Sequence, residues 1–301
     1  MEYKNLPDLT WLATLMAVVE RGGVAEAARA LHVGQPAVTK RLRTLDDCYG
    51  VELMQRKGRR LELTPAGEKV YVYARLTLDH QRALIDDLTS LRAGQNRLRL
   101  EVTSAIGEHM LPDLLLRFAD TYPEFRIESR MGYTRRIQMR LATGLADLAL
   151  LEFAPDHPEI LVQKWLDDEL ILVCGAAHTL CGSMLKSVAE LDRLHYVLRE
   201  PPSAMRVTLD KALNDAGITQ ISIAMEVGST DTIVEMLLRG THVSFLPRFA
   251  VEESLNSGSL YHIPVQGLRI NRTLWIARTR SNLDNPASEA FISLLRSNYC
   301  L

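Results

Sequence analysis

The chain has 301 residues, a formal net charge of −2, 47% hydrophobic and 24% charged residues. That length exceeds one ordinary core and fits two or three folding units. No apolar run approaches the ~20 residues of a membrane helix, the opening MEYKNLPDLT lacks a leader's apolar stretch, and the four cysteines form no C-x-x-C pair, so a cytoplasmic protein with reduced thiols is expected.

Residues 24–46, VAEAARALHVGQPAVTKRLRTLD, scan as two short helices with a tight break at Val33-Gly34. Ala25, Ala28 and Leu31 share one face of the first, and Val38, Leu42 and Leu45 one face of the second. Glycine is expected to supply the backbone freedom of the break, and Pro36 suits a first helical turn, where its missing N–H costs nothing. The outward face of the second helix carries Gln35, Thr39, Lys40 and Arg43. Such a helix fits a DNA major groove; the segment also reads as an ordinary helical hairpin with a solvated face.

Next comes a basic run, Arg56-Lys57-Gly58-Arg59-Arg60, between strand-like Val51–Met54 and Leu61–Leu63. A hairpin with a cationic tip beside a recognition helix is a wing that reaches phosphates or the minor groove. Between Gly34 and Arg60 stand seven Lys/Arg against three Asp/Glu, within a slightly acidic chain. Cations are thus concentrated where a nucleic-acid surface would lie.

A helix is predicted from Pro65 to a Gly stop at Gly94. Val70, Tyr73, Leu76, His80, Leu84, Leu88 and Leu91 recur along it with a mean spacing of about 3.5, the coiled-coil period. The stripe needs a cover, either a second copy of the chain or packing within this one. Beyond Asn96, strands alternate with helices, which argues an α/β sheet with crossover helices. Strands are expected at Arg97–Thr103, Phe125–Arg130, Asp147–Leu151, Leu170–Cys174, Tyr196–Leu198, Ile221–Val227, Val243–Leu246 and Thr273–Ala277, with one helix over Ile106–Thr121 that contains Pro112.

Enzyme readings find little support. Ser183 and Lys186 fit S-x-x-K without a nucleophile's strand–turn–helix setting. There is no phosphate-binding glycine loop, no dinucleotide fingerprint and no His/Cys/carboxylate set at metal spacing. No catalytic residue, metal or cofactor is expected.

AARALHVGQPAVTKRL, YGVELMQR, KGRR and LTPAG follow one another in order and spacing over residues 6–67. This run resembles the winged helix-turn-helix of LysR-type transcriptional regulators, and the likeness extends over the whole chain. VTSAIGEHMLP, REPPSAMR and EVGSTDTIVEML are most similar to the branch that controls carbon-fixation or sulfur-assimilation genes, with Ala105, Pro202, Ala204 and Met205 departing from its pattern. The resemblance implies an α/β multidomain protein. Its parts would be a winged helix-turn-helix at 1–64, a dimerising linker helix at 65–93, and a periplasmic-binding-protein-like effector domain at 94–301. Subdomain I would cover about 94–164 and 266–301, subdomain II about 165–265, with crossings near 162–166 and 264–268. Implied partners are double-stranded DNA with an interrupted palindrome, a small anionic metabolite or inorganic anion, and further copies of the chain as dimer or tetramer.

The expected roles follow. Gln35 and Thr39 read base edges, Pro36 meets a thymine methyl, and Lys40 and Arg43 contact phosphate or guanine. Arg56, Arg59 and Arg60 hold the wing to the backbone. Ligands of open α/β sheets lie at carboxyl ends of strands, beside helix N-termini that favour anions. Thr103, Ser104, Thr134, Ser203 and Ser229 stand at such ends and are expected to line the effector site, although each one singly also reads as a helix cap. Arg130, Arg135, Arg136 and Arg199 lie near the same ends, or are solvated surface arginines. Some relatives sense peroxide through a disulfide; for Cys174 and Cys181 the other reading is plain packing, Cys174 closing an apolar strand.

Overall fold

The computed structural model describes residues 6–57, 60–93 and 96–298. The chain divides into two compact units, Met1–Arg92 and Ala93–Leu301.

In the first unit, α1 (Leu9–Arg21), α2 (Val24–Ala30) and α3 (Gln35–Tyr49) precede a hairpin of β1 (Met54–Lys57) and β2 (Arg60–Leu63), and α4 (Pro65–Ala93) closes it. Asp8 caps α1, its carboxylate accepting from the Thr10 N–H at 2.7 Å. Fully buried Leu12, Leu15 and Leu45 belong to one small core and Ala27 and Val38 to a second, with the half-buried Leu42 packed against both. The α2–α3 break differs from expectation. The left-handed residue is His32 (φ 53), whereas Gly34 is extended (φ −74, ψ 149) and stands ahead of α3. The His32 N–H donates to the Arg29 carbonyl and that of Val33 to the Ala28 carbonyl, the crossed pair that ends a helix in a left-handed residue. These two hydrogen bonds hold a histidine where glycine is usual. On α2 the buried pair is Ala27 and Ala28; Ala25 and Leu31 are half-buried.

The wing also shifts. Arg56 and Lys57 belong to β1, and Lys57 pairs with Arg60. Arg59 lies outside the described residues, as does the side chain of Arg60. Further on, Val70, Tyr71, Ala74 and Leu78 of α4 pack into the core around Leu12, Leu15 and Leu45, a face only partly shared with the expected stripe. Tyr73, Leu84, Ile85 and Leu88 remain about half exposed. The helix therefore has one face bound to its own unit and a second apolar face open along its distal half.

The second unit holds one sheet in the order β4-β3-β5-β11-β6-β9-β7-β8, with a short β10 on β6. In the first lobe β3 (Asn96–Val102), α5 (Ser104–His109), α6 (Leu111–Thr121), β4 (Phe125–Met131), α7 (Thr134–Ala142) and β5 (Leu148–Leu151) follow in turn. Strands β4 and β5 both run parallel to β3. All four residues of β5 are buried: Leu148 and Leu150 point to the core around Phe118 and Phe291, Ala149 and Leu151 to the core around Ile137 and Ile160. A parallel strand covered on both faces reads as an unbroken apolar run for this reason. The helix expected over Ile106–Thr121 is two helices, because Pro112 starts α6 and cannot continue α5.

The long β6 (Ile160–Gly175) then carries the chain into the second lobe. There β7 (His195–Arg199), α8 (Ala204–Asp215), β8 (Ser222–Val227), α9 (Thr230–Arg239), β9 (Val243–Pro247), α10 (Arg248–Asn256) and β10 (Leu260–His262) surround a core that includes Tyr196, Phe245 and Leu237. Strand β11 (Ile270–Thr279) returns to the first lobe, and α11 (Pro286–Asn298) packs there through Phe291. The return comes later than the expected 264–268: residues 266–267 form a turn at Gly267 (φ 85), Val265 and Leu268 pack on the second-lobe core, and β11 pairs with β6 from Ile270.

Candidate functional site

On α3, Gln35, Pro36, Thr39, Lys40 and Arg43 are all exposed and line one concave surface with Thr44 and Asp47. Val38 and Leu45, on the opposite side, are fully buried. The helix is thus anchored by its apolar stripe and presents donors and cations outward. Among the described residues, no ion pair engages Lys40, Arg43 or Arg56, so their charge faces water. The Thr39 hydroxyl donates to the Gln35 carbonyl at 3.1 Å, which leaves its methyl and acceptor lone pairs on the outer face.

In the second unit, the five residues stand at strand-to-helix junctions of the two lobes, which face each other across two hydrogen-bonded contacts. Thr103 and Ser104 stand where β3 passes into α5 and Thr134 starts α7, all in the first lobe; Ser203 and Ser229 precede α8 and α9 in the second. Among the described residues, no hydrogen bond links one of the five to another. Two contacts across the cleft bring them near each other. Glu108 of α5 accepts from the Ser229 hydroxyl at 3.2 Å and from the Thr230 N–H at 3.1 Å. Tyr133 donates its hydroxyl to Glu200 at 2.7 Å, and the Ser203 N–H bonds the Glu200 carbonyl. The hydroxyls of Thr103, 3% exposed, and Thr134 are buried without a hydrogen-bond partner, and such groups call for a ligand or a water.

Charge within the cleft is paired internally. Arg199, 3% exposed, grips Glu200 through Nε (3.0 Å) and Nη2 (2.9 Å) and reaches the Thr230 hydroxyl through Nη1. Burial opposes ionisation of Glu200, yet the hydrogen bonds from Arg199 and Tyr133 outweigh it and hold its carboxyl below the usual range. The bond to Glu200, and then burial, push the Tyr133 phenol up. Deeper, Arg272 of β11 binds Glu152 and Asp168, each at 2.7 Å, and lies 5.6 Å from the Phe249 ring centre. Burial raises the Asp168 carboxyl despite that partner. Of the other arginines expected here, Arg130, Arg135 and Arg136 are exposed.

The sequence pointed to Arg199 but missed Glu108, Tyr133, Glu200 and Thr230, whose roles depend on the lobes facing each other. It also held no sign of a donor set that folding assembles: one ligand atom each from Glu108, His109 and Asp231 lies within 4.8 Å of the others. Among the described residues, those three form a set that could hold a cation. Ser183 and Lys186 are exposed, and among the described residues no hydrogen bond joins the Ser183 hydroxyl to a base. Cys174 is fully buried in β6, and burial, then the neighbouring Cys181, push its thiol up to about 11. A thiol so held is a weak nucleophile, which favours packing over peroxide sensing.

Comparison with known proteins agrees with this anatomy. Residues 9–68 match the bacterial regulatory helix-turn-helix family of lysR type, and residues 92–299 match the LysR substrate binding domain. The chain belongs to the LysR family. It is a DNA-binding transcriptional regulator, not an enzyme. Among curated relatives, a probable RuBisCO transcriptional regulator of Cyanidium caldarium is 28% identical over 296 residues, covering 95% of this chain and 93% of that one. The HTH-type transcriptional regulator CysL of Bacillus subtilis is 25% identical over 289 residues and covers 96% of both. The full-length CbnR crystal structure, complexed with its target DNA, is similar in fold, with a TM-score of 0.72, 22% identity and coverage of 96% and 99%. No described helix is long and apolar enough to cross a membrane.

Proposed function

We propose that the outer face of α3 reads an interrupted palindrome upstream of the regulated genes, and that a small anion in the interlobe cleft modulates that binding. Gln35 and Thr39 address base edges, Pro36 a thymine methyl, Lys40 and Arg43 phosphate or guanine, and Arg56, Arg59 and Arg60 the backbone beside the wing. Thr103, Ser104, Thr134, Ser203 and Ser229 line the effector site. The open apolar face of α4, with Leu84, Ile85 and Leu88 near half exposure, supports a linker helix that pairs with a second copy, and two such pairs make a tetramer. A regulator of this kind works beside the chromosome, in the cytoplasm.

The observation that carries the effector reading is the carboxylate of Glu108 on Ser229 and Thr230. It is an anion resting on the positive end of a helix. Quantitative gel shifts on the upstream intergenic DNA at two salt concentrations test the assignment. Gln35→Ala should narrow the gap between specific and unrelated DNA. Arg60→Ala should weaken all sequences alike and reduce the salt slope by about one. Thr103→Ala should keep the shift and lose its dependence on added metabolite anions. Loss of DNA binding in Thr103→Ala, or identical behaviour of the first two variants, overturns the division of roles.

A further inference from the structure

Glu108 spans the cleft. It sits near the end of α5 in the first lobe, its side chain 14% exposed, and both its acceptor contacts come from the start of α9 in the second lobe. Resting on the reading of the cleft given above, we propose that Glu108 is a tethered occupant of the effector's anion position. It latches the lobes together, and a polyvalent anion displaces it where a monocarboxylate does not.

Competition decides the ligand class. A side chain held beside its partner acts at an effective concentration on the order of millimolar or more. A free monocarboxylate offers the same two oxygens to the same donors and gains nothing over Glu108. A sulfate, a phosphate or an ester of either brings an added charge to the helix end and a further acceptor oxygen. The reading of the cleft given above supplies donors for that oxygen in the Thr103 and Thr134 hydroxyls, which are buried and unpartnered. Arg199 is no rival anchor for a monoanion, because Glu200 already fills its Nε and Nη2. The Tyr133–Glu200 bond does not involve Glu108, so the lobes stay joined while the carboxylate is exchanged for the ligand.

Two measurements on the full chain test this. In hydrogen exchange, Glu108→Ala should speed the Thr230 amide about tenfold, as loss of a charge-assisted bond predicts, while Asp231→Ala leaves it protected. In thermal melts at equal ionic strength, millimolar sulfate or inorganic phosphate should raise Tm of the natural chain, and acetate should not. These amounts lie below the range where sulfate acts by exclusion from the surface. In Glu108→Ala the half-saturating sulfate concentration should fall roughly tenfold and acetate should begin to act. Glu108→Gln keeps an acceptor oxygen but no charge; it should retain Thr230 protection and still show the lower sulfate midpoint. Unchanged Thr230 exchange in Glu108→Ala, or acetate equal to sulfate in the natural chain, overturns the proposal. Equal, saturable sulfate responses in both proteins overturn the latch and leave the anion site standing. No response to any anion in either protein overturns both.

Discussion

The recognition helix and the cleft handle charge in opposite ways. On α3, Lys40 and Arg43 face water, and among the described residues neither is held by an ion pair. In the second unit, Arg199 and Arg272 are each 3% exposed at the side chain and are gripped by Glu200, Glu152 and Asp168. A surface built for a polyanion keeps its cations unspent, at little cost to stability. A site built to hold a small ligand inside a folded domain must neutralise its charges before the ligand arrives, because a bare buried charge costs several kcal/mol.

Removing a charge from each region tests the contrast. Arg272→Ala strands Glu152 and Asp168, and should lower the stability of the effector domain by about 3–5 kcal/mol, read as an earlier effector-domain transition in calorimetry. Lys40→Ala should leave both transitions within ~0.5 kcal/mol while reducing the salt slope of DNA binding by about one. If Arg272→Ala melts like the parent, the internal pairing is not structural and the comparison fails.

A smaller effect confined to the DNA-binding unit comes from Gly67. A Cβ there would lie 1.9 Å from the Leu53 carbonyl oxygen, which is backbone and cannot swing aside. Gly67→Ala should cost about 1–3 kcal/mol and shift only the first unit's transition. A shift in both would mean that the two units do not unfold separately.

The smallest concerns pH. The Glu200 carboxyl is held below its ordinary value, so its contribution is present above the unfolded-state value and is lost as pH falls through the folded one. Glu200→Gln should therefore be less stable than the parent near neutrality and converge with it in acid. The check is Tm followed from pH 7 downward; parallel curves would remove Glu200 from the pairing scheme.

The sequence served the two regions unequally, for physical reasons. The α3 face was legible because one helix carries all of it: Pro36, Val38, Leu42 and Leu45 set the phase, and the remaining side chains follow from 3.6 residues per turn. Even there, local backbone escaped the pattern, since the left-handed turn fell on His32 through two crossed hydrogen bonds and not on the nearby glycine. In the cleft, strand ends with Thr103, Thr134, Ser203 and Ser229 could be named singly. Their partners could not, since Glu108 meets Thr230 and Tyr133 meets Glu200 only after some seventy to one hundred and twenty residues of chain have folded between them. The α4 stripe was half right for a related reason. Periodicity finds apolar positions but does not say which neighbour covers them, and Tyr71 and Ala74 proved to face the helix's own unit.

The chain passes between the lobes only along β6 and β11, and those strands are hydrogen-bonded to one another from Ile160–Thr279 to Leu170–Ile270, with one register slip beside Leu274. Two rails tied by rungs cannot slide apart without breaking the rungs, but they can wind. Relative motion of the two lobes is therefore resisted in sliding and left freest in torsion about that ladder's long axis.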